Sequence, residues 1–354
     1  MVEQSEIKMT GSIKMRDSNI ELLRIVCMVM ILNLHTFLIP EYISLKSLSL
    51  ANILTVFSES LSVCAVNTFV LISGYYSIKW KWRSFFSLIY QVYFFVFLIY
   101  IVLLATGYIH FNWKDLFLRS NCVLFSYWFI SSYVVLYVFS PILNIYTSNV
   151  ERKELGVFLI AFFILEFYFC TSKGTFNNGY SPLHFIGLYI LGRFLKAYPL
   201  CFFNNIRKPV IVYVLLSCCI AIFFTGYKIL KADPCTNFNF IGGYANPFVV
   251  IQSIALFYIF QNFTFQNKFV NWCGVSVLSI YLCHMHPDIK QLYYSHAASL
   301  YSLSVFYRFI HLTILFTTIF ITSILLDKIR MVSFDIFYQL GLRIKDDVIK
   351  SKRS

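Results

Sequence analysis

A chain of 354 residues that is 59% hydrophobic, 19% aromatic and only 13% charged has too little polar surface for a soluble domain, in which charged residues approach a quarter of the total. Apolar runs of about twenty residues recur along it, as in a polytopic membrane protein. The formal charge of +13 does not point to nucleic acid, because Lys and Arg fall in short loops and at the two ends rather than on one basic face. In those places they are topology determinants and contacts for anionic lipid.

The chain opens on a polar tail, 1–19, of mixed charge and without a small-residue cleavage site. The first apolar run, 20–39, is too long for the core of a signal peptide, so it reads as an uncleaved first span. In order, the predicted spans are 20–39, 51–76, 84–108, 121–145, 155–170, 181–197, 209–229, 246–263, 272–287 and 306–326. The fold class is thus an all-α polytopic membrane protein of about ten transmembrane helices. The fifth and ninth runs are short, hence tilted, partly buried or re-entrant.

Loop charge tests that count. With ten spans both termini share one side, which then holds most of the 29 Lys and Arg. Among these are Lys79, Lys81 and Arg83 of the loop KWKWR, Arg152, Lys153, the stretch from Lys196 to Lys208, and Lys268. The other side holds Lys46, Lys114, Arg119, Lys173, Lys228, Lys231, Lys290 and Arg308. The positive-inside rule places both termini in the cytoplasm. A transmembrane domain, 20–326, would then be followed by a basic cytoplasmic tail, 327–354, lying on the membrane surface. No internal repeat is visible.

Ten cysteines form no CxxC pair and no zinc spacing. Most lie in apolar runs as small hydrophobes (Cys27, Cys64, Cys170, Cys218, Cys219, Cys283). The one disulfide considered joins Cys122 to Cys235. Trp80, Trp82 and Trp113 suit interfacial aromatic belts. His110, His184, His296 and His311 read as interfacial or packing residues. Glu166, inside the fifth span, is unexplained.

The chemistry concentrates on the first span. In IELLRIVCMVMILNLHTFLIP, Arg24 and His35 are eleven residues apart. That is close to three helical turns, so the two side chains share a face and stand roughly 16 Å apart along the axis. Glu21, three residues before Arg24, is placed to pair with it. Either Glu21 and Arg24 mark the membrane boundary by snorkelling, or they are a working pair. His35 sits deeper, where an ionisable group defaults to a functional role.

With these positions in view, the chain resembles the acyltransferase 3 family of bacterial membrane enzymes that acylate, usually acetylate, envelope glycans. The resemblance rests on the Arg24–His35 spacing and on VNTFVLISGYYS (66–77), similar to the family's FFxISGY segment and followed by the basic loop. It extends to YWFISSYVVLYVFSPILN (127–144) and to the late segment 244–289, which contains IYLCH. Two places depart: Ile25 stands where many members have Gly, and Ser126-Tyr127 stands where a histidine commonly precedes the WF pair.

The resemblance implies transfer of an acyl group from cytoplasmic acyl-CoA (acetyl-CoA in the simplest case) to a hydroxyl of an envelope glycan, in the bacterial cytoplasmic membrane. No metal or prosthetic group is implied. His35 would take the hydroxyl proton, for which imidazole is suited near neutral pH. Arg24, Lys79, Lys81 and Arg83, with Ser73 and Gly74 at the end of the second span, would meet the donor, since guanidinium grips phosphate through a bidentate fork. Tyr281 and His284 would hold the acceptor or orient His35, and Glu21 would support Arg24. For Gly74 a helix-packing contact is an equal reading. Against the enzyme stand a transporter or flippase for a lipid-linked glycan, which would need polar groups on several spans, and a non-catalytic membrane partner.

Overall fold

A computed structural model describes residues 16–37, 49–122, 127–173, 175–231 and 243–351. Among them every regular element is helical. The α-helices in chain order are α1 (Ser18–Phe37), α2 (Leu50–Ser62), α3 (Ala65–Tyr76), α4 (Trp82–Ala105), α5 (Trp113–Cys122), α6 (Trp128–Asn149) and α7 (Arg152–Lys173). They continue as α8 (Pro182–Ala197), α9 (Arg207–Lys231), α10 (Pro247–Gln261), α11 (Lys268–Gly274), α12 (Val277–His284), α13 (Lys290–Ser299) and α14 (Val305–Ser351).

Seven segments are long and apolar enough to cross a bilayer: α1, the α2–α3 pair, α4, α6, α7, α9 and α14. The three other predicted spans are present as shorter pieces. α8 is held to 16 residues by a Ser181 cap with Pro182 at its start. α10 is held to 15 residues by an Asn246 cap with Pro247. At about 24 and 22 Å, both fall short of the ~30 Å core. The run 272–287 is interrupted at Val275-Ser276, between α11 and α12. The run 51–76 is likewise broken at Val63-Cys64. Hydropathy is blind to these breaks because the interrupting residues are themselves apolar or small.

α1 is the hub. It packs against α2, α3, α10, α11, α12 and α13, and Leu23, Cys27, Met28, Ile31 and Leu32 are buried on it. Polar ties fix its rotation. Asn33 Nδ2 donates to Ser58 Oγ at 3.0 Å and to Ser62 Oγ at 2.9 Å. Tyr293 Oη donates to the Leu32 carbonyl at 2.8 Å, and Asn19 Nδ2 to the Phe260 carbonyl at 2.9 Å. Large apolar side chains such as Phe306, Phe309, Ile314 and Ile321 of α14 point outward, as a lipid-facing surface requires.

α3 and α8 meet backbone to backbone. A Cβ on Gly192 would sit 2.7 Å from the Tyr75 nitrogen and 2.9 Å from Gly74 Cα, and one on Gly74 would strike the Tyr189 carbonyl. The glycine of ISGY therefore makes a helix-packing contact, one of the two readings open at the sequence level.

The predicted surface tail is also different. α14 runs unbroken through Ser351, 47 residues or about 70 Å. The reason lies just past residue 326. Asp327 is fully buried, and its Oδ1 accepts from Gln91 Nε2 at 2.8 Å and from Arg330 Nε and Nη2 at 2.9 and 2.7 Å. This ties α14 to α4 beyond the expected boundary. The Cys122–Cys235 pairing falls outside the residues whose side chains are described.

Candidate active site

His35 lies in the last turn of α1 and His284 is the last residue of α12. They meet although 249 residues apart, Nδ1 of His35 standing 2.9 Å from Nε2 of His284. The other His284 nitrogen, Nδ1, faces the Ile280 carbonyl at 2.6 Å. A carbonyl can only accept, so His284 Nδ1 carries the proton and its Nε2 lone pair accepts from His35 Nδ1–H. The remaining nitrogen of His35, Nε2, then holds a free lone pair, the state a base needs. His284 is 1% exposed and His35 9%, so His35 is the less enclosed of the two. Among the described residues no carboxylate touches either ring, so the relay is a neutral imidazole pair.

Aromatic groups wall the pair. The Tyr293 ring centre lies 5.4 Å from that of His284, and Tyr281 is edge-on to it at 6.0 Å. Tyr127, at the departure from the family's histidine, donates its hydroxyl to the Leu282 carbonyl at 3.1 Å. The turn after His284 is pinned by a two-bond pair, Arg119 Nη1 and Nη2 donating to Asp288 at 2.6 and 3.0 Å. His286 accepts the Asp288 backbone N–H at 3.2 Å through Nδ1 and takes no part in the pair.

At the other end of α1, Glu21 does not snorkel. It is buried, and its Oε1 accepts from Arg16 at 2.9 Å and from Arg24 at 3.5 Å. A Cβ on Gly274 of α11 would fall 2.7 Å from Glu21 Cβ, so a glycine is needed there. Arg24 keeps 26% of its side chain exposed. α1 thus carries a cation paired with a buried carboxylate near its start and a buried imidazole in its last turn.

The remaining predicted donor residues lie at the end of α3, in the loop that follows and in the first turn of α4. Ser73 Oγ donates to the Phe69 carbonyl at 3.2 Å and lies 3.3 Å from Tyr133 Oη, turned toward α6. Lys79, Lys81 and Arg83 are exposed. Arg83 is paired with Asp335 of α14 at 2.7 Å and lies over the Tyr338 ring. Glu166 finds its partner in His184, Oε2 to Nδ1 at 2.9 Å, both fully within the helices. Asn67 gives its amide to the Tyr244 carbonyl, so its Oδ1 accepts from His184 Nε2 at 3.1 Å. This network locks α3, α7 and α8 together. Sequence reading did not single out Arg193 of α8, although an arginine inside the apolar run ILGRFLKA carries the same signal as Arg24.

If His284 sets the tautomer of His35, His284→Phe keeps the ring volume but removes the acceptor. Turnover is then expected to fall about 10²-fold with the donor KM unchanged, and the acid limb of the pH–rate profile to move. Unchanged turnover would show that His284 does not orient His35.

Seven segments able to cross a membrane, with a buried histidine pair at one end of the central helix and a partly exposed arginine at the other, make this a multi-pass membrane protein with a candidate proton-transfer site. The chain belongs to the acyltransferase 3 family: that family's model, an acyltransferase domain, matches residues 17–328. It is accordingly an acyltransferase acting on groups other than aminoacyl. No curated protein and no solved structure is similar enough to count as a match.

Proposed function

We propose that this protein is an O-acyltransferase of the bacterial cytoplasmic membrane that moves an acetyl group from cytoplasmic acetyl-CoA to a hydroxyl of an envelope glycan. The observation that carries the reading is the His35–His284 pair. His35 Nε2 takes the proton of the acceptor hydroxyl, whose oxygen attacks the thioester carbonyl. As the tetrahedral intermediate collapses, the C–S bond breaks, and His35 returns the proton to the leaving thiolate. One ester and one free thiol result. The transient positive charge on His35 is met by the His284 lone pair, already in place, as favours catalysis in a site shielded from water.

In this reading the bundle crosses ten times, α8, α10 and the α11–α12 pair counted with the seven long segments. Both termini are cytoplasmic, and His35 faces the outer half. The acyl group crosses on its pantetheine arm along α1, from Arg24 to His35. The base and the acceptor need no metal. The flippase alternative has no observation in its favour: the buried polar groups of α3, α7 and α8 bond to one another instead of lining a path. The test is the acyl content of each envelope glycan, by NMR, in cells with and without the gene. One glycan is expected to lose its acyl ester; acylation unchanged on every glycan would overturn the reading.

A further inference from the structure

α8 ends in two cations that no carboxylate neutralises among the described residues. Arg193 donates Nε to Thr147 Oγ1 at 3.2 Å and Nη2 to Ser148 Oγ at 3.4 Å, and Nη1 meets Ser77 Oγ. All three partners are neutral hydroxyls. They orient the guanidinium without discharging it. Lys196 Nζ, one turn on, lies 4.6 Å from the Tyr75 ring centre, a cation–π contact that again leaves the charge whole.

Both cations border a cavity of about 300 Å³ shared with Asp17, Tyr75, Tyr76, Ser77 and Gln261. Its one carboxylate, Asp17, accepts from Tyr76 Oη at 2.8 Å, and so fixes the phenol while leaving a positive balance. Asp17 immediately precedes α1, so the cavity sits at the Arg24 end of α1, away from His35 in its last turn. The walls are preset. Ser77 holds φ at 60°, a region costly for a residue with a Cβ. The glycine contact between α3 and α8 brings that residue against Arg193.

Forked guanidinium, ammonium, hydroxyl and amide donors around a small cavity match the oxygens of a phosphate or diphosphate. We propose that this cavity binds the phosphates of the acyl donor, with Arg193 and Lys196 as the anchors, in place of the Lys79–Arg83 loop. The proposal rests on the donor reading above. It adds that recognition of the nucleotide end belongs to α8, whereas Arg83 of the basic loop faces the Asp335 carboxylate.

The experiment compares full-length protein in detergent with Arg193→Gln and Lys196→Gln, using two donors, acetyl-CoA and acetyl-pantetheine, which lacks phosphate. Each variant is expected to raise the KM for acetyl-CoA about tenfold or more, the loss of one charge-assisted bond, and to leave acetyl-pantetheine transfer unchanged. Lys196 makes only the ring contact, so Lys196→Gln carries the test even where Arg193→Gln fails to fold. Pyrophosphate binding by calorimetry is read in parallel and needs no turnover. Wild-type binding that is lost in the variants supports the anion site, even if acetyl-CoA proves not to be the donor, which would sink the donor reading alone. Pyrophosphate binding equal in wild type and variants, or equal KM changes for both donors, overturns the proposal.

Discussion

Replacing His35 with alanine is expected to lower acyl transfer about 10²- to 10⁴-fold, the range that a positioned general base supplies, with donor binding retained. Alanine also strips the His284 Nε2 lone pair of its 2.9 Å partner in a buried site, which costs stability. A second variant separates the two effects. His35→Asn keeps an N–H donor near the position of Nδ1 but offers no basic nitrogen. It is expected to melt like the wild type and to be as inactive as alanine. An asparagine variant that transferred at the wild-type rate would remove His35 from the chemistry.

The second large effect is on folding. Gly192→Val is expected to abolish the folded, detergent-stable protein, because a Cβ there meets the Leu71 carbonyl, the Tyr75 nitrogen and Gly74 Cα. These are backbone atoms with no rotamer by which to yield, so the overpacking cost of about 1–3 kcal/mol found in adaptable cores is a lower bound. Gly226 is the control: a Cβ there meets nothing within 4 Å. In the interior of α9, alanine is favoured over glycine by about 0.5–1 kcal/mol, so Gly226→Ala should be neutral or stabilising. Fluorescence-detected size-exclusion chromatography of both variants distinguishes them. A monodisperse Gly192→Val protein would show that α3 and α8 need not touch.

The part of this site carried by a single helix was legible in the sequence. Arg24 and His35 share a face because eleven residues are close to three turns, and Glu21 pairs with Arg24 as its spacing requires. What depends on distant segments was legible only through the family resemblance, which offered His284 as a residue that orients His35 or holds the acceptor. Only folding sets His284 against His35, and only the Ile280 carbonyl assigns the tautomers. The basic loop looked like the anion site because charge density is visible in a sequence. That Arg83 pairs at the surface with Asp335, 252 residues away, is not visible. Conversely, Arg193 drew no notice because its company is apolar; its partners Ser77, Thr147 and Ser148 come from α6 and from the residue after α3. Hydropathy overran the short helices for a similar reason. It averages through Cys64 and through Val275-Ser276, where the chain breaks without a proline. It also ended α14 at the first charges, although Asp327 and Arg330 neutralise each other against Gln91.

The central claim is that the acyl group is handed across the membrane to the His35–His284 pair, and one measurement meets it directly. Purified protein is reconstituted with a single orientation in vesicles loaded with glycan acceptor, and acetyl-CoA labelled in the acetyl group is added outside, on the side of the Arg24 end of α1. The account predicts labelled ester on the enclosed glycan and free thiol outside, both lost in His35→Asn. Label found only on acceptor supplied on the donor's own side, with the enclosed glycan unlabelled, would contradict it.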